Sequence, residues 1–353
     1  MKSVVFQEDI SEIISSSKIK WEDISDSSIL VTGATGTIGN ALTHALSAAS
    51  DRQRLNLKII AHGRSTDRGE ALAKECRVRF VCGDIRKPIP SDELPETIDY
   101  VIHSAAVTHS VEMVATPVDV ITTSVDGTKN ILLLAKERQC KSMVYISSME
   151  IYGQSNLPEV KESDLGYLDL SRPRSSYPES KRLCEALCIA YASQYGLPVK
   201  IARLAQTFGA GSTRDDTRVF AQFARSAISG KNIELHTEGK SLGNYCYTAD
   251  SIRAMLQIMI DGKNGEAYNI ANPTASATVR EMAELVASEV CGGRIEVVVN
   301  IPEDIAKRGY APDTGYSLNV DKLKALGWNP QYGLADMYRR TMDDWLQVRE
   351  HQL

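Results

Sequence analysis

A glycine-rich turn at residues 33–39 (GATGTIG) constrains the fold of this chain more than any other feature of its sequence. The apolar run 29–31 before it predicts a buried strand, and apolar residues recur at helical spacing from Ile38 to Ala49. Such glycines let the backbone approach a pyrophosphate, while the helix N-terminus offers unpaired N–H groups and partial positive charge. The alternative is a tight turn without a ligand. We predict a dinucleotide site with contacts at Gly33, Thr35, Gly36, Thr37, Ile38 and Gly39.

Strands and helices alternate after this turn. Apolar runs predict further strands at 57–61, 78–82, 100–102, 143–146 and 199–202. Helical patterns lie between them, at about 118–135 and at 177–195 with Gly196 as its cap. This alternation indicates βαβ units with right-handed crossovers. The predicted fold class is therefore α/β, a doubly wound parallel sheet of the Rossmann type with a smaller, interleaved C-terminal substrate domain.

The domain boundaries that we predict follow the extent of this alternation. The dinucleotide-binding Rossmann domain covers 27–203 and also receives about 244–271. The substrate-binding domain comprises 204–243 and 272–353, with a capping box at Thr278 and Glu281 that opens a helix.

Residues 1–26 form an appendage outside both predicted domains. Ile10, Ile13 and Ile14 share one face of a short helix, and Trp21 is a candidate anchor for it. We expect this segment to pack against the main body.

Composition and charge exclude several classes of protein. The chain has 40 Lys and Arg against 45 Asp and Glu, so its charge of −5 gives no reason to expect nucleic acid as a partner. No apolar stretch approaches the roughly 20 residues of a membrane helix, and acidic residues follow the start too early for a secretory signal. The seven cysteines contain no CxxC pair. We expect reduced core cysteines, a cytoplasmic location and no metal.

The end of the second strand bears on the choice of cofactor. Residues 61–64 read Ala-His-Gly-Arg, without the acidic residue that accepts from the ribose hydroxyls in NAD-preferring sites. Arg64, helped by Arg68, is a candidate partner for a 2′-phosphate, so we slightly prefer NADP over NAD. Asp84 and Ile85 follow the third strand, where they can meet the adenine. Arg64 as a solvated loop charge and Asp84 as an ordinary turn residue are the alternatives.

Tyr177 and Lys181 lie four residues apart at the start of a predicted helix and share a face of it. A nearby ammonium favours the phenolate, so we expect it to lower the tyrosine pKa from about 10. Such a tyrosine can take a proton from a sugar hydroxyl. Ser148 ends the fifth strand, where ligands of open α/β sheets bind, and can share a hydrogen bond with the reacting oxygen. Capping of the strand end is the alternative for Ser148.

These features resemble the extended short-chain dehydrogenase/reductase family, also called NAD-dependent epimerase/dehydratases. The resemblance covers nearly the whole chain from Ser28 on. Besides the turn and Tyr177/Lys181, it includes GDIR at 83–86, HSAA at 103–106, VDGT at 125–128, SSMEIYG at 147–153 and KALGWNP at 324–330. The block RSSYPESKR at 174–182 is particularly similar to UDP-glucuronate decarboxylases.

The resemblance implies a redox chemistry. Family members oxidise a sugar hydroxyl, usually at C4, with the tyrosine as base and the dinucleotide as hydride acceptor. The transient ketone permits epimerisation, elimination of water or decarboxylation before the hydride returns. Tyr177, Lys181 and Ser148 take the catalytic positions, and Glu150 matches a catalytic glutamate that acts at C5 or positions the sugar.

The resemblance also implies the remaining contacts and the assembly. Ser104, Ala105 and Ala106 fall at cofactor-binding positions. The substrate-binding positions are Thr108, His109, Gln206 and Arg218. Family members commonly form homodimers through the helices after the fourth and fifth strands, so we expect a homodimer acting on a nucleotide sugar.

Several positions depart from the family pattern. Met149 replaces the aspartic acid that protonates the leaving hydroxyl in dehydratases, and a thioether cannot donate a proton, which disfavours dehydration. Gln206 replaces an asparagine, and Ser124 replaces a structural asparagine. Gly243 stands where a diphosphate-binding arginine is usual. The candidate substitutes for that arginine are Arg214, Arg218 and Lys240.

Three hypotheses follow. The first is epimerisation or decarboxylation of a nucleotide sugar through a transient 4-keto sugar, supported by Ser148, Glu150, Tyr177 and Lys181. The second is net NADPH-dependent reduction of a ketosugar or other carbonyl, supported by Arg64 and the missing diphosphate arginine. The third is a non-catalytic dinucleotide sensor, since fold does not fix function.

Overall fold

The computed structural model describes residues 2–302 and 313–350 of the chain. The predicted segments 1–26 and 272–353 include residue 1, residues 303–312 and residues 351–353, which lie outside the described residues.

The helices are α1 Val4–Ser15, α2 Thr37–Gln53, α3 Thr66–Cys76, α4 Ser110–Ala115, α5 Pro117–Glu137, α6 Ser176–Tyr195, α7 Val219–Ile228, α8 Thr248–Asp261, α9 Val279–Leu285, α10 Asp321–Lys324 and α11 Leu334–Glu350. The strands are β1 Ser28–Thr32, β2 Lys58–Gly63, β3 Arg79–Cys82, β4 Tyr100–His103, β5 Ser142–Ser148, β6 Glu159–Val160, β7 Val199–Leu204, β8 Gln206–Phe208, β9 Ile233–Leu235, β10 Leu242–Tyr247, β11 Ala267–Ile270, β12 Asn272–Thr278, β13 Val297–Val299 and β14 Ser317–Leu318.

A seven-stranded parallel sheet in the order β11-β7-β5-β4-β1-β2-β3 is the centre of the molecule. Strands β1, β5 and β7 are almost entirely buried because helices cover both faces of the sheet, and every residue of β1 is buried. Strand β1 pairs with β2 on one side and with β4 on the other, so the chain reverses its direction of winding there. This topology confirms the predicted doubly wound α/β fold and places a ligand crevice beyond the carboxyl ends of β1 and β4.

Smaller sheets lie on the carboxyl side of this sheet. Strand β10 pairs antiparallel with β12 and parallel with β8, whereas β11 joins the main sheet beside β7. Short parallel pairs join β13 to β9 and β14 to β6. The predicted capping box is present at Thr278, which opens α9 and a following π-helical turn, Val286–Val290.

The N-terminal segment folds as a helix that packs against α2, α8 and α11. Ser3 caps α1, and Ile10, Ile13 and Ile14 are buried as their spacing predicts. Trp21 is also buried, and its Nε1 donates to the Ile14 carbonyl at 3.1 Å, which confirms it as an anchor.

The cysteines differ at one position from the prediction. All seven are free thiols, and six of them are buried, but Cys82 is exposed. Cys82 ends β3, the outermost strand of the sheet, where no further strand covers it. Within residues 2–302 and 313–350, none of the helices combines the length and apolar character needed to cross a bilayer.

Candidate dinucleotide and substrate site

The glycine turn is held by close backbone contacts. Gly33 adopts φ +66°, and a Cβ there would lie 2.8 Å from the backbone nitrogen of Ala105, in the loop after β4. A Cβ on Gly39 would overlap the carbonyl oxygen of Gly33. Only glycine therefore allows the turn to approach both its own helix and the neighbouring loop.

The middle of the same turn is open. Gly36 is the N-cap of α2 and is exposed, and an added Cβ would meet only the Gly33 carbonyl, at 3.4 Å. Having no side chain, Gly36 cannot satisfy the first N–H groups of α2. Thr35, Thr37 and Ile38 surround it as half-buried residues. These features fit a pyrophosphate, which would accept hydrogen bonds from the helix N-terminus.

The loop after β4 forms the other wall of this crevice. The Ser104 hydroxyl donates to the Thr32 carbonyl at 2.6 Å, and Ser104, Ala105 and Ala106 are half-buried. Beneath them, His103 Nδ1 and the Thr32 hydroxyl are 2.7 Å apart. Burial lowers the pKa of His103 to about 3, so it is a neutral hydrogen-bonding group.

The adenosine end of the crevice carries an arginine and a paired aspartate. Arg64 is exposed after β2, and its charge helps to lower the pKa of Asp84. The main cause of that shift is Arg86, whose Nη2 donates to Asp84 Oδ2 at 2.6 Å. Ile85 is buried, and its side chain would contact a Cβ at Gly127. Asp84 is thus bound by Arg86, while Arg64 faces solvent.

Tyr177, Lys181 and Ser148 meet where β5 ends and α6 begins. Tyr177 is in the first turn of α6 and packs with Val107 and Met113. The Ser148 side chain is close enough to the Tyr177 hydroxyl to lower the pKa of the tyrosine. The Ser148 hydroxyl also accepts from the Glu150 N–H at 3.2 Å, so capping of the strand end and contact with the tyrosine occur together.

The expected lowering of the Tyr177 pKa was wrong for this structure. Burial raises the pKa of Tyr177 to about 12, and the Glu150 carboxylate adds to the rise. Lys181 Nζ lies 5.9 Å from the Tyr177 ring centroid and donates instead to the Ile146 carbonyl at 2.7 Å. It also lies 4.8 Å from the ring centroid of Tyr145. Burial lowers the pKa of Lys181 to about 8.

Glu150 is paired with an arginine that the sequence analysis did not identify as functional. Arg174 Nη2 lies 2.8 Å from the Glu150 carboxylate. Arg174 belongs to the 3₁₀ turn Pro173–Ser175 directly before α6, and its charge lowers the pKa of Tyr177. Its position three residues before Tyr177 is the sequence feature that could have identified Arg174 as a functional residue.

The predicted substrate residues lie on segments that follow β4 and β7. Thr108 and His109 are exposed before α4, and half-buried Gln206 begins β8. Arg218 donates to Asp216 and to the Thr207 carbonyl, at 3.0 Å for the latter, and its charge lowers the pKa of Tyr177. Burial raises the pKa of Asp216, but the hydrogen bonds from Arg218 lower it below its usual range. Arg218 therefore joins β8 to the segment before α7.

Tyr245 fills the space beside Gly243. A Cβ on Gly243 would overlap the Tyr245 hydroxyl, so an arginine side chain there needs a different Tyr245 position. The Tyr245 hydroxyl is buried and lacks a hydrogen-bond partner in the described part of the chain. Of the candidate substitutes, Lys240 pairs with Glu238, and the Arg214 carbonyl accepts from Arg225 at 2.6 Å.

A buried ion pair joins α6, β7 and the segment after β5. Arg203 donates to Glu185 at 2.7 Å and to the Tyr152 hydroxyl at 2.9 Å. Tyr152 donates in turn to Asn269 at 2.5 Å, which joins the segment after β5 to β11. No role could be predicted for Arg203 and Tyr152, because these partners are distant in sequence.

The geometry defines an α/β enzyme with a dinucleotide crevice and a Tyr-x-x-x-Lys pair beside it. The family model described as the NAD dependent epimerase/dehydratase family matches residues 29–271, and the chain belongs to this family.

Known proteins of the same family are similar along most of the chain. UDP-glucuronic acid decarboxylase 3 from Arabidopsis thaliana is 30% identical over 313 residues, covering 87% of this chain and 86% of the relative. DesIV, a dTDP-glucose 4,6-dehydratase from Streptomyces venezuelae solved with NAD, is 25% identical with TM-score 0.75, covering 92% of this chain and 98% of its own. The structure of the epimerase Mth375 from Methanothermobacter thermautotrophicus has a TM-score of 0.77 at 23% identity, covering 94% of this chain and 96% of its own. At this identity the similarity establishes the shared fold. Neighbours solved with NAD and with NADPH both occur.

Proposed function

We propose that this enzyme epimerises or decarboxylates a nucleotide-linked sugar through a transient 4-keto sugar, using NAD(P). The observation that carries the proposal is the position of Tyr177 and Lys181 in the first turns of α6, where Lys181 donates to the Ile146 carbonyl of β5 and Tyr177 lies beside Ser148. The relative named UDP-glucuronic acid decarboxylase supports the class of substrate.

In this mechanism Tyr177 takes the proton of the reacting sugar hydroxyl and later returns it. Because its phenol is protonated at neutral pH in the resting site, proton removal depends on a charge that favours the phenolate. Lys181 supplies that charge, and Ser148 shares a hydrogen bond with the reacting oxygen. A dinucleotide held at the glycine turn would supply the hydride acceptor and donor for the sugar carbon.

The chemistry between the two transfers falls to the Glu150–Arg174 pair. Arg174 fixes the direction of the Glu150 carboxylate, which then positions the sugar or accepts a proton at C5. Met149 is buried and cannot donate a proton, so the proposal excludes dehydration from the favoured reactions.

The cofactor that we slightly prefer is NADP. The end of β2 carries the exposed Arg64, and the Asp84 carboxylate on which its charge acts is already bound by Arg86. An exposed guanidinium can pair with a 2′-phosphate through charge-assisted hydrogen bonds.

A second candidate is net NADPH-dependent reduction of a ketosugar or other carbonyl. The Tyr245 ring beside Gly243 favours it, because that ring occupies the place of a diphosphate-binding arginine. Replacement of Tyr177 by Phe distinguishes the third hypothesis, because a non-catalytic sensor would lose nothing in that variant.

We also propose a homodimer and a cytoplasmic location. Helices α5 and α6 pack together and leave apolar side chains exposed, namely Val118, Ile121 and Leu183. Burying such residues against a second copy removes apolar surface from water. The seven free thiols are consistent with a reducing compartment.

Sugars deuterated at C4 test the proposed function. UDP- and dTDP-linked hexoses and hexuronates are incubated with the full chain, and products are identified by mass spectrometry. Epimerised or decarboxylated product that retains the deuterium, without net consumption of dinucleotide, is the expected result. Stoichiometric consumption of NADPH with a ketosugar would instead establish the reductase.

A further inference from the structure

The segment 209–212 (GAGS), which follows β8, is fixed through its backbone by distant side chains. The Ala210 N–H donates to the Tyr247 hydroxyl at 3.4 Å, and the Gly211 N–H donates to Asp344 Oδ2 at 2.9 Å. Trp345 Nε1 donates to the Ser212 carbonyl at 2.6 Å. A short segment rich in glycine is flexible on its own, so these bonds decide its position.

Helix α1 contacts two of these partners and the segment itself. Tyr247 donates its hydroxyl proton to Asp9 Oδ2 at 2.7 Å, and the Ser3 hydroxyl donates to Asp344. The Phe6 ring lies 2.9 Å from the position of a Cβ on Gly211, which has φ +85°. Two side chains of α1 and its N-cap Ser3 therefore act on the segment 209–212.

The same helix is fastened to its neighbours. Arg340 of α11 donates to Asp9 at 2.6 Å, and Asp9 is buried. On the side of the main sheet, the rings of Phe6 and His44 of α2 are 5.2 Å apart, edge to face. Gln53 of α2 donates to the Ile14 carbonyl at 2.8 Å. Helix α1 thus links the Rossmann helices to α11 and to the segment 209–212.

This segment leads directly to the charged side of the cleft. Asp216 and Arg218 follow it before α7 begins, and Arg218 donates at 3.0 Å to the carbonyl of Thr207, two residues before the segment. The Arg218 charge also lowers the pKa of Tyr177. A shift of the segment 209–212 would therefore move Arg218 relative to the catalytic tyrosine.

We propose that α1 is a positioning element of the substrate site, in which Asp9 and Ser3 act through Tyr247 and Asp344 to hold Arg218. Helix α1 lies outside the part of the chain that the family model matches. The proposal rests on the proposed function for the role of Arg218 in binding the nucleotide sugar.

Hydrogen–deuterium exchange tests the positioning without any substrate. In Asp9→Asn, the amides of Ala210 and Gly211 should exchange at least about tenfold faster, while those of 104–106 are unchanged. Ser3→Ala should affect the same segment, because Ser3 contacts Asp344, which accepts from the Gly211 N–H. This second variant keeps the test valid if Asp9→Asn does not fold. Gln7→Ala, on an exposed position of α1, is the matched control. Unchanged exchange in both variants would overturn the proposal.

Nucleotide binding then tests the link to Arg218. UDP and dTDP are titrated calorimetrically into the full chain, with NADPH binding followed in parallel by fluorescence. We expect Asp9→Asn to weaken UDP or dTDP binding about fivefold and to leave NADPH binding within about twofold. In Arg218→Lys, the added Asp9→Asn should have little further effect, because both act on one contact. Additive losses of nucleotide affinity in the double variant would show that Asp9 does not act through Arg218. Failure of the wild type to bind either nucleotide would count against the proposed function, while the exchange result still decides the role of α1.

Discussion

The two sides of the cleft are built in different ways. The dinucleotide side is backbone: Gly33 and Gly39 allow contacts that no side chain would permit. The substrate side is made of paired charges, Glu150 with Arg174 and Asp216 with Arg218. A backbone site tolerates few substitutions, whereas charged pairs can be exchanged without changing the fold. This contrast explains how one fold keeps its cofactor while its substrates vary.

The largest effect is expected where the two sides meet. Tyr177→Phe removes the proton acceptor and should lower kcat by about 10²–10⁴-fold, the usual contribution of general acid–base catalysis. Steady-state assays on the accepted sugar measure it, with NADPH titration as the control for an intact crevice. Full activity in this variant would favour the sensor hypothesis.

The backbone side is tested by two glycines of one turn. Gly39→Ala forces a Cβ against the Gly33 carbonyl and should lower the free energy of unfolding by about 1–3 kcal/mol. Gly36→Ala meets only a 3.4 Å contact, so it should fold normally but lose roughly 10–100-fold in dinucleotide affinity. Thermal unfolding and fluorescence titration separate the two effects. Equal losses of stability would show that the middle of the turn is not open.

The glycine turn and the Tyr/Lys pair could be predicted because neighbouring residues determine them. A strand, a turn and a helix follow each other directly, and Tyr177 and Lys181 share one helical turn. The pairing of Glu150 with Arg174 spans 24 residues, and Tyr247 reaches Asp9 across 238. Such partners depend on tertiary packing, as does the burial that raises the pKa of Tyr177. Local patterns contain no information on either.

The charged side is tested through Arg174. Arg174→Gln leaves Glu150 without its cation and should lower kcat/KM about tenfold, as expected for loss of a half-exposed charged hydrogen bond. Dinucleotide affinity should stay unchanged. Arg172→Gln, which removes an exposed pair with Asp169, is the matched control. An equal loss of kcat/KM in both variants would show that Arg174 has no specific role in the reaction.

Cofactor choice is tested through Arg64. Arg64→Ala should weaken NADPH binding about tenfold and leave NADH binding unchanged, because only NADPH carries the 2′-phosphate. Fluorescence titrations with both cofactors measure the ratio. Lys74→Ala, at an exposed position of α3, controls for a general change of charge. Parallel losses for both cofactors would assign Arg64 to the shared part of the dinucleotide.

The smallest effect concerns pH. Turnover should fall as pH rises through about 8, because Lys181 loses its proton there and no longer favours the Tyr177 phenolate. Tyr145→Leu removes the ring 4.8 Å from Nζ and should move this limb about one pH unit lower. Tyr145→Phe keeps the ring and should not move it. A shift of this limb in Tyr145→Phe would show that the Tyr145 hydroxyl affects the pKa of Lys181.

The proposed internal redox cycle requires that the enzyme retain its dinucleotide between turnovers. Freshly purified protein is denatured, and the released dinucleotide is identified and quantified by mass spectrometry. We expect about one NAD(H) or NADP(H) per chain, with NADP(H) the slightly preferred form. An empty crevice with weak, exchangeable NADPH binding would contradict the internal cycle and favour the net reductase.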